Sequence, residues 1–257
     1  EATELYGAYT GYAVTFYTLP ATLTSALAAT LVPIVAGAAA KGKEGLPKIR
    51  KTAAAVLRMT LLIVLPCAFG FGLLPGPLLS LLFSRASDVA IAAPLLRLLA
   101  PAVVFTALSS VTTSALQAMG VMRAPIISFA AGGLVKIVAN FVLIGTPWIN
   151  IHGAPLGTLA CYFVISVVNL IILRRRIGKF AEFGRVVLVP AVCALAATLA
   201  ARGIYTFLLR WFTSRLALAA GVGAAGLLYF VFLLSAGIIR KEDMRILPKF
   251  RHKTEEI

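Results

Sequence analysis

Long hydrophobic stretches alternate with short polar connections along most of the chain. A helix needs about 20 apolar residues to cross the hydrocarbon core of a bilayer, and seven stretches reach this length. They cover residues 12–40, 53–74, 90–119, 124–146, 153–173, 186–209 and 216–239. The pattern therefore predicts an all-α fold, a polytopic membrane bundle of seven transmembrane helices.

The connections differ in charge, and this difference predicts an orientation. Basic residues gather after the first, third and fifth stretches and in the tail, whereas the other connections carry fewer of them. The basic positions are Lys41, Lys43, Lys48, Arg50, Lys51, Arg123, Arg174, Arg175, Arg176, Lys179, Arg185, Arg240, Lys241, Arg245, Lys249, Arg251 and Lys253. Because Lys and Arg favour cytoplasmic loops, we expect an inner-membrane protein of bacteria whose N-terminus here lies outside and whose C-terminus is cytoplasmic.

Composition excludes a soluble domain and argues against a nucleic-acid partner. Hydrophobic residues make up 60% of the chain and charged residues 13%, whereas a soluble domain carries about 25% charged residues. The net charge is +15, but the cations lie at helix ends and form no patch with aromatic residues. The three cysteines lie inside apolar stretches without a CxxC spacing. We expect membrane lipids as neighbours, and neither a metal nor a cofactor.

Two passages predict departures from straight spanning helices. The first stretch contains Pro20 and Pro33, and a proline inside a helix removes a hydrogen bond and kinks the backbone. We expect kinks at both prolines, either as part of a cavity wall or as ordinary bends. A short apolar segment, 78–83, follows a Pro-Gly-Pro turn, and it is expected to form a half-helix at the outer interface because it is too short to span.

Three cations lie within the hydrophobic stretches, where a charge is costly and suggests function. Arg58 is close enough to the end of its stretch for its side chain to reach the headgroups. Lys136 lies about 18 Å into its stretch, too deep for this, and Asn140 follows one turn later on the same helical face. We therefore expect Lys136 and Asn140 to bind substrate in a cavity, with Arg97 and Gln117 as further candidates.

The acidic residues and possible catalytic groups indicate the kind of substrate. None of the nine acidic residues lies in the middle of a hydrophobic stretch. A cavity lined by this chain would then be cationic and would suit an anion such as a lipid diphosphate. Antiport of cations or protons usually relies on a carboxylate buried in the membrane. The stretches also lack a base or metal-binding set, so we expect a transporter and no enzyme.

Four passages carry a family resemblance: YTLPATLTSALAATLVPIVAGAAAKG (17–42), LPCAFGFGLLPGPLLSLLF (65–83), SALQAMGVMRAPIISFAAGGLVKIVANFVLI (114–144) and INIHGAPLGTLACY (149–162). Together they resemble the multidrug, oligosaccharidyl-lipid and polysaccharide exporter superfamily, most closely its stage V sporulation protein B-like and polysaccharide-biosynthesis branch. The resemblance implies the C-terminal half of a fourteen-helix flippase. A chain that begins outside without a signal peptide fits this expectation.

The resemblance also implies a division of the chain and a missing partner. Residues 1–177 would supply helices of the C-terminal lobe, 178–240 two appended helices, and 241–257 a basic cytoplasmic tail. The N-terminal lobe of the same chain would face this half across a central cavity. Members of the superfamily flip undecaprenyl-diphosphate sugars by alternating access, with one lobe rocking against the other.

One departure from the family pattern bears on the substrate. Peptidoglycan-precursor flippases carry an arginine just before the Leu-Pro that corresponds to Leu19 and Pro20, and here Val14, Thr15 and Phe16 occupy that neighbourhood. The departure favours a related anionic lipid-linked saccharide over lipid II itself. Two alternatives stay open: a drug or cation antiporter of the same superfamily, and a noncatalytic membrane scaffold for cell-envelope synthesis.

Overall fold

The computed structural model describes residues 2–83, 85–178, 183–211 and 213–235, and every regular element within these ranges is helical. The α-helices are α1 (Ala2–Ala8), α2 (Val14–Ala39), α3 (Leu46–Leu73), α4 (Pro75–Leu82), α5 (Ala86–Ala118), α6 (Arg123–Ile144), α7 (Gly153–Ile177), α8 (Phe183–Leu208) and α9 (Ser214–Ser235). A π-helical turn, Tyr9–Ala13, joins α1 to α2. Lys179 and the tail at 241–257 lie outside the described residues.

Seven helical segments in the described ranges are long and apolar enough to cross a membrane, which confirms the predicted fold class. These spans are Thr3–Ala39, Gly42–Leu73, Ala86–Ala118, Arg123–Ile144, Asn150–Ile177, Val187–Leu208 and Leu216–Ser235. The first five are joined by short connections and run in alternating directions. One end of the bundle, here the α4 end, carries α4 and the turn between α6 and α7. The opposite end carries the turns that follow α2 and α5.

The first span begins at Thr3, although hydrophobicity alone predicted a start at residue 12. Polar residues in the added turns and just after them bond to their own helix. Thr10 Oγ1 donates to the Tyr6 carbonyl oxygen at 2.8 Å, and Thr15 Oγ1 donates to that of Gly11 at 2.8 Å. Because these hydroxyls are satisfied locally, the helix continues through a segment that a hydropathy average scores as polar.

Both predicted kink positions lie inside a helix that the structure assigns as continuous. Pro20 is buried and Pro33 is exposed, and both belong to α2. The same span also contains a π-helical turn earlier, at Tyr9–Ala13. Such π-helical turns are often found at functional sites. A bend at each proline stays a prediction.

The centre of the bundle is α5, which packs against α2, α3, α4 and α7. Its fully buried side chains include Leu95, Leu96 and Leu99, interspersed with alanines such as Ala102 and Ala107. Helices in a membrane associate through close packing rather than through exclusion of water. The alternation of large and small side chains therefore explains how α5 contacts several neighbours at once. The short helix α4 lies against α5 and α9. A short helix is confirmed in this region, but it begins at Pro75, so the Pro-Gly-Pro residues form its first turn instead of preceding it, as proline is well tolerated there. Its place at the outer interface stays a prediction.

Glycines allow α6 and α7 to pack closely against each other. A Cβ atom at Gly132 would lie 2.5 Å from Ile165 Cγ1, and one at Gly153 would lie 2.7 Å from Leu143 Cβ. Because glycine has only a hydrogen atom in place of a side chain, the two helices can come this close. Small residues have the same effect in membrane helix pairs generally. The helix α6 makes few contacts with α5 and is the least buried span. Its outer face is strongly apolar, with Phe141 84% exposed.

A hydrogen bond joins the C-terminal end of α7 to α3. Arg50 Nε, at the start of α3, donates to the carbonyl oxygen of Ile177, the last residue of α7. Gly178 follows with φ 79° and ψ −167°, a backbone conformation that glycine adopts without the steric cost of a side chain. Three arginines, Arg174 to Arg176, occupy the last turn of α7, where cations favour the negative end of the helix dipole.

The helices α8 and α9 pack as a pair on one side of the remaining bundle. Within the described residues, α8 contacts α3, and α9 contacts α4. Glycine again allows a close approach, since a Cβ atom at Gly221 would lie 3.2 Å from the Ala201 carbonyl oxygen. The pair thus rests on helices that line neither cavity described below. The domain boundary at residue 178 stays a prediction.

Candidate functional site

Two cavities open between the first span, α5, α6 and α7 of the described structure. The larger, here the Lys136 cavity, has a volume of about 810 Å³. It is lined by Leu5, Tyr6, Tyr9, Lys136, Asn140, Ile144, Asn150, Ile151 and Ala154. The smaller, here the hydroxyl cavity, has a volume of about 320 Å³. It is lined by Ala21, Thr24, Ser25, Thr106, Ser109, Ser110, Thr113, Ser114, Phe129 and Tyr162. Neither set of described lining residues contains an acidic side chain.

Among the described lining residues of the two cavities, Lys136 contributes the only charge. The side chain is half-buried and makes no hydrogen bond or ion pair with any residue that the structure describes. The thiol of Cys161, on the facing helix α7, lies within electrostatic reach of the ammonium. A charge in this position has lost part of its water without gaining a hydrogen bond or an ion pair from the described residues. It is therefore available to an anion that enters the cavity.

Asn140 lies one turn from Lys136 and lines the same cavity. Its Oδ1 atom is buried and has no hydrogen-bond partner among the described residues. A Cβ atom at Gly157 would collide with this oxygen, so the missing side chain of Gly157 is what accommodates the carboxamide. An unsatisfied buried acceptor costs about 1–3 kcal/mol. The carboxamide oxygen of Asn140 is thus packed against α7, while the residue is part of the lining of the cavity that holds Lys136.

Most of the described side chains around the hydroxyl cavity carry a hydroxyl, although most of its accessible surface is carbon, and its described lining is uncharged. Several of its hydroxyls donate to carbonyls of their own helix: Thr24 Oγ1 to Ala21 at 3.0 Å and Ser109 Oγ to Thr106 at 2.7 Å. Others, those of Ser110, Ser114 and Tyr162, bond to none of the residues that the structure describes. The cavity therefore presents both free donors and free acceptors.

Helix periodicity places the two cavities in one line. On α6, Asn140 and Lys136 face the Lys136 cavity and Phe129, two turns earlier, faces the hydroxyl cavity. On α7, Ala154 and Tyr162 line the two cavities in the same order. The spacing of seven residues on α6 corresponds to about 10 Å. The two cavities thus follow one another along the α6–α7 face, and this line is called the path below.

Polar contacts between helices border this path. The hydroxyls of Tyr9 and Thr158 lie 3.4 Å apart and join the first span to α7. A hydrogen bond between the hydroxyls of Tyr17 and Thr106 joins α2 to α5. These contacts hold the cavity walls at fixed positions, since a hydroxyl inside a membrane protein gains from a partner on a neighbouring helix.

The structure brings together only two of the four predicted cavity residues. Arg97 Nε donates to the Gly72 carbonyl oxygen at 3.1 Å, near the end of α3. Gln117 is exposed near the opposite end of α5, about 30 Å away from Arg97 along the helix. Neither lines the Lys136 cavity or the hydroxyl cavity. Their role in substrate binding stays a prediction, whereas Lys136 and Asn140 share a cavity.

The sequence alone did not assign the hydroxyl residues to a cavity. Ser109, Ser110 and Ser114 invite an interpretation as packing residues, because serine lacks charge and no base lies near in sequence. A signal was present nonetheless: Thr106, Ser110 and Thr113 recur at helical spacing and mark one polar face of α5. Tyr9 and Tyr162 lacked such a signal, since single tyrosines in apolar stretches are common.

Comparisons with known proteins agree with a membrane transporter. A family profile described as lipid II flippase MurJ matches residues 7–219. The chain is similar to stage V sporulation protein B of Bacillus subtilis (strain 168), with 24% identity over 253 residues that cover 96% of this chain and 46% of that protein. It is also similar to lipid II flippase MurJ of the same organism, with 25% identity over 252 residues that cover 91% of this chain and 44% of that protein. The chain spans less than half the length of these curated relatives.

Proposed function

Because the chain belongs to the lipid II flippase MurJ family, we propose that it supplies one wall of an alternating-access path for an anionic lipid-linked saccharide. Lys136 is the residue on which the proposal rests. It is a half-buried ammonium in a spanning helix, it makes no hydrogen bond or ion pair with a described residue, and it opens on a cavity of about 810 Å³.

Membership of the family confirms the superfamily resemblance drawn from the sequence. MurJ-type flippases are transporters, so the expectation of a transporter and no enzyme is confirmed as well. Together with seven apolar helices, the family identifies a multi-pass membrane protein. The whole protein's substrate, its partner lobe and its orientation belong to the proposal.

Electrostatics favour a diphosphate as the group that Lys136 binds. An ammonium interacts more strongly with an anion where water is scarce, because the local dielectric constant is lower. A lipid diphosphate carries its negative charge next to the saccharide and must leave water as it crosses the bilayer. One unpaired cation and no acidic residue in the described lining lower the cost of that transfer.

The alternatives find less support in the cavity linings. An antiporter that couples to cations or protons needs a carboxylate in the membrane, and the described lining residues include none. A scaffold would have Lys136 paired with backbone or amide groups in a dry centre. Lys136 instead lines a large cavity and lacks such a bond within the described chain.

The test is transport by the complete protein in liposomes. A fluorescent undecaprenyl-diphosphate sugar would be supplied in one leaflet, and its movement to the other would be followed by quenching. We expect Lys136→Ala to abolish movement and Lys136→Arg to retain part of it, because arginine keeps the charge but changes its geometry.

Lys43→Ala is the matched control, since Lys43 is exposed in the turn after α2 and far from either cavity. Thermal unfolding in detergent would show that each variant folds. Full transport by a folded Lys136→Ala protein would remove Lys136 from the proposal. Absence of transport by the parent would reject the flippase function itself.

A further inference from the structure

We propose that the hydroxyl cavity is the saccharide subsite of the path, while the Lys136 cavity receives the diphosphate. This inference rests on the proposed function, because it divides one substrate between the two cavities. Eight of the ten described lining side chains of the hydroxyl cavity carry a hydroxyl, and none of the ten carries a charge. Four of these hydroxyls, those of Thr24, Ser25, Thr106 and Ser109, donate to carbonyls of their own helices, and most of the accessible surface of the cavity is carbon. This mixture of hydroxyls and apolar surface matches a sugar, which presents both hydroxyls and C–H groups.

The hydrogen-bonding capacity of the cavity is partly unused. The side-chain hydroxyls of Ser110 and Ser114 bond to no described residue. Asn169 Nδ2 donates to Thr113 Oγ1 at 2.9 Å, which occupies an acceptor of that hydroxyl and leaves its proton free to be donated. Asn169 is itself fully buried, so it orients Thr113 from behind. Three neighbouring hydroxyls of α5 are thus open to a ligand.

The aromatic residues and the size of the cavity fit a sugar ring. Phe129 and Tyr162 provide apolar ring faces beside the hydroxyls, and a pyranose has an apolar face of C–H groups that packs against an aromatic ring. The volume of about 320 Å³ is near the lower limit for ligand pockets, about 300 Å³. The cavity therefore suits a single sugar unit rather than a long oligosaccharide.

The arrangement of the cavities agrees with the chemistry of a lipid-linked sugar. Phe129 and Lys136 are about 10 Å apart along α6, a distance that a diphosphate and its first sugar can span. The hydroxyl cavity lies toward the end of the bundle where α5 ends, and the Lys136 cavity lies toward the α4 end. Sugar and diphosphate would then bind in a fixed order along the path.

The test compares binding of two probes to the complete protein: undecaprenyl diphosphate and the same lipid bearing one N-acetylated sugar. We expect Ser110→Ala with Ser114→Ala to weaken binding of the sugar-bearing lipid about tenfold, as loss of two neutral hydrogen bonds would. Binding of the sugar-free lipid should not change. Lys136→Ala should weaken binding of both lipids.

The matched control is Ser80→Ala with Ser235→Ala, two helical serines outside both cavities that bond only to their own helices. Equal weakening of both lipids by the cavity serine variant, or no weakening of either, would overturn the sugar subsite while leaving the flippase proposal standing. A parent protein that binds neither lipid would reject both proposals.

Discussion

Tyr229 Oη in α9 donates a hydrogen bond of 2.9 Å to the carbonyl oxygen of Leu62 in α3. That carbonyl has no helical donor, because the residue four positions later is Pro66, which lacks an N–H group. Backbone groups freed inside a membrane need a partner from a neighbouring helix. The α8–α9 pair therefore completes the hydrogen bonding of α3.

The first prediction concerns this bond. We expect Tyr229→Phe to lower stability by about 0.6–1.7 kcal/mol, the range for hydrogen bonds between membrane helices. The Pro66→Ala background should reduce this loss, because alanine restores the N–H donor to Leu62. Unfolding of the single and double variants in detergent measures the coupling. Tyr205→Phe, whose hydroxyl lies 3.4 Å from Ser214 Oγ at the surface, is the control. Equal losses with and without Pro66 would contradict the explanation.

The second prediction compares two glycines in the helices α6 and α7. We expect Gly153→Ala to destabilise the protein, because the added methyl group would lie 2.7 Å from Leu143 Cβ and 2.9 Å from the backbone nitrogen of Ile144, and overpacking costs about 1–3 kcal/mol. Gly133→Ala should be neutral or slightly stabilising, since nothing lies within 4 Å of the position that its added methyl group would take and alanine favours a helix by up to about 1 kcal/mol. Thermal unfolding of both variants tests this prediction. Equal changes in melting temperature would contradict the packing argument.

A third prediction distinguishes Arg97 from Lys136. Arg97 Nε donates a hydrogen bond to the Gly72 carbonyl oxygen, one of the last carbonyls of α3. The last carbonyls of a helix lack the N–H donors that carbonyls in the helix interior have. We expect Arg97→Ala to lower stability by about 1 kcal/mol and to leave transport rates unchanged at a temperature where the variant is folded. Loss of transport without loss of stability would instead show that Arg97 takes part in substrate transport.

The fourth prediction tests the proposed orientation. Trp148, in the turn between α6 and α7, is 97% exposed, and Lys43 is exposed at the opposite end of the bundle. We expect Trp148→Cys to react with a membrane-impermeant maleimide in intact cells, and Lys43→Cys to react only after permeabilisation. The native Cys67, Cys161 and Cys193 should be replaced first. The reverse labelling pattern would invert the orientation derived from the basic connections.

Local physical rules account for the elements of the fold and for half of the predicted cavity set. The seven spans follow from apolar length, because a membrane leaves a long apolar segment few alternatives to a helix. Lys136 and Asn140 share a face because residues four apart on a helix do. The start of the first span was misplaced because a hydropathy average ignores the bond from a threonine hydroxyl to its own helix.

Contacts between helices decided the remaining features of the cavities and of the polar contacts, because such contacts depend on which helix faces meet. Residues of α2 and α5 line one cavity, although Thr24 and Thr106 are far apart in sequence. Nothing near Arg97 in sequence indicates the Gly72 carbonyl, and nothing near Pro66 indicates Tyr229. The sequence by itself determined the spans, their alternation and the depth of Lys136. The tertiary structure decided which polar groups face a common cavity, because that choice depends on helix rotation and close packing rather than on hydrophobicity.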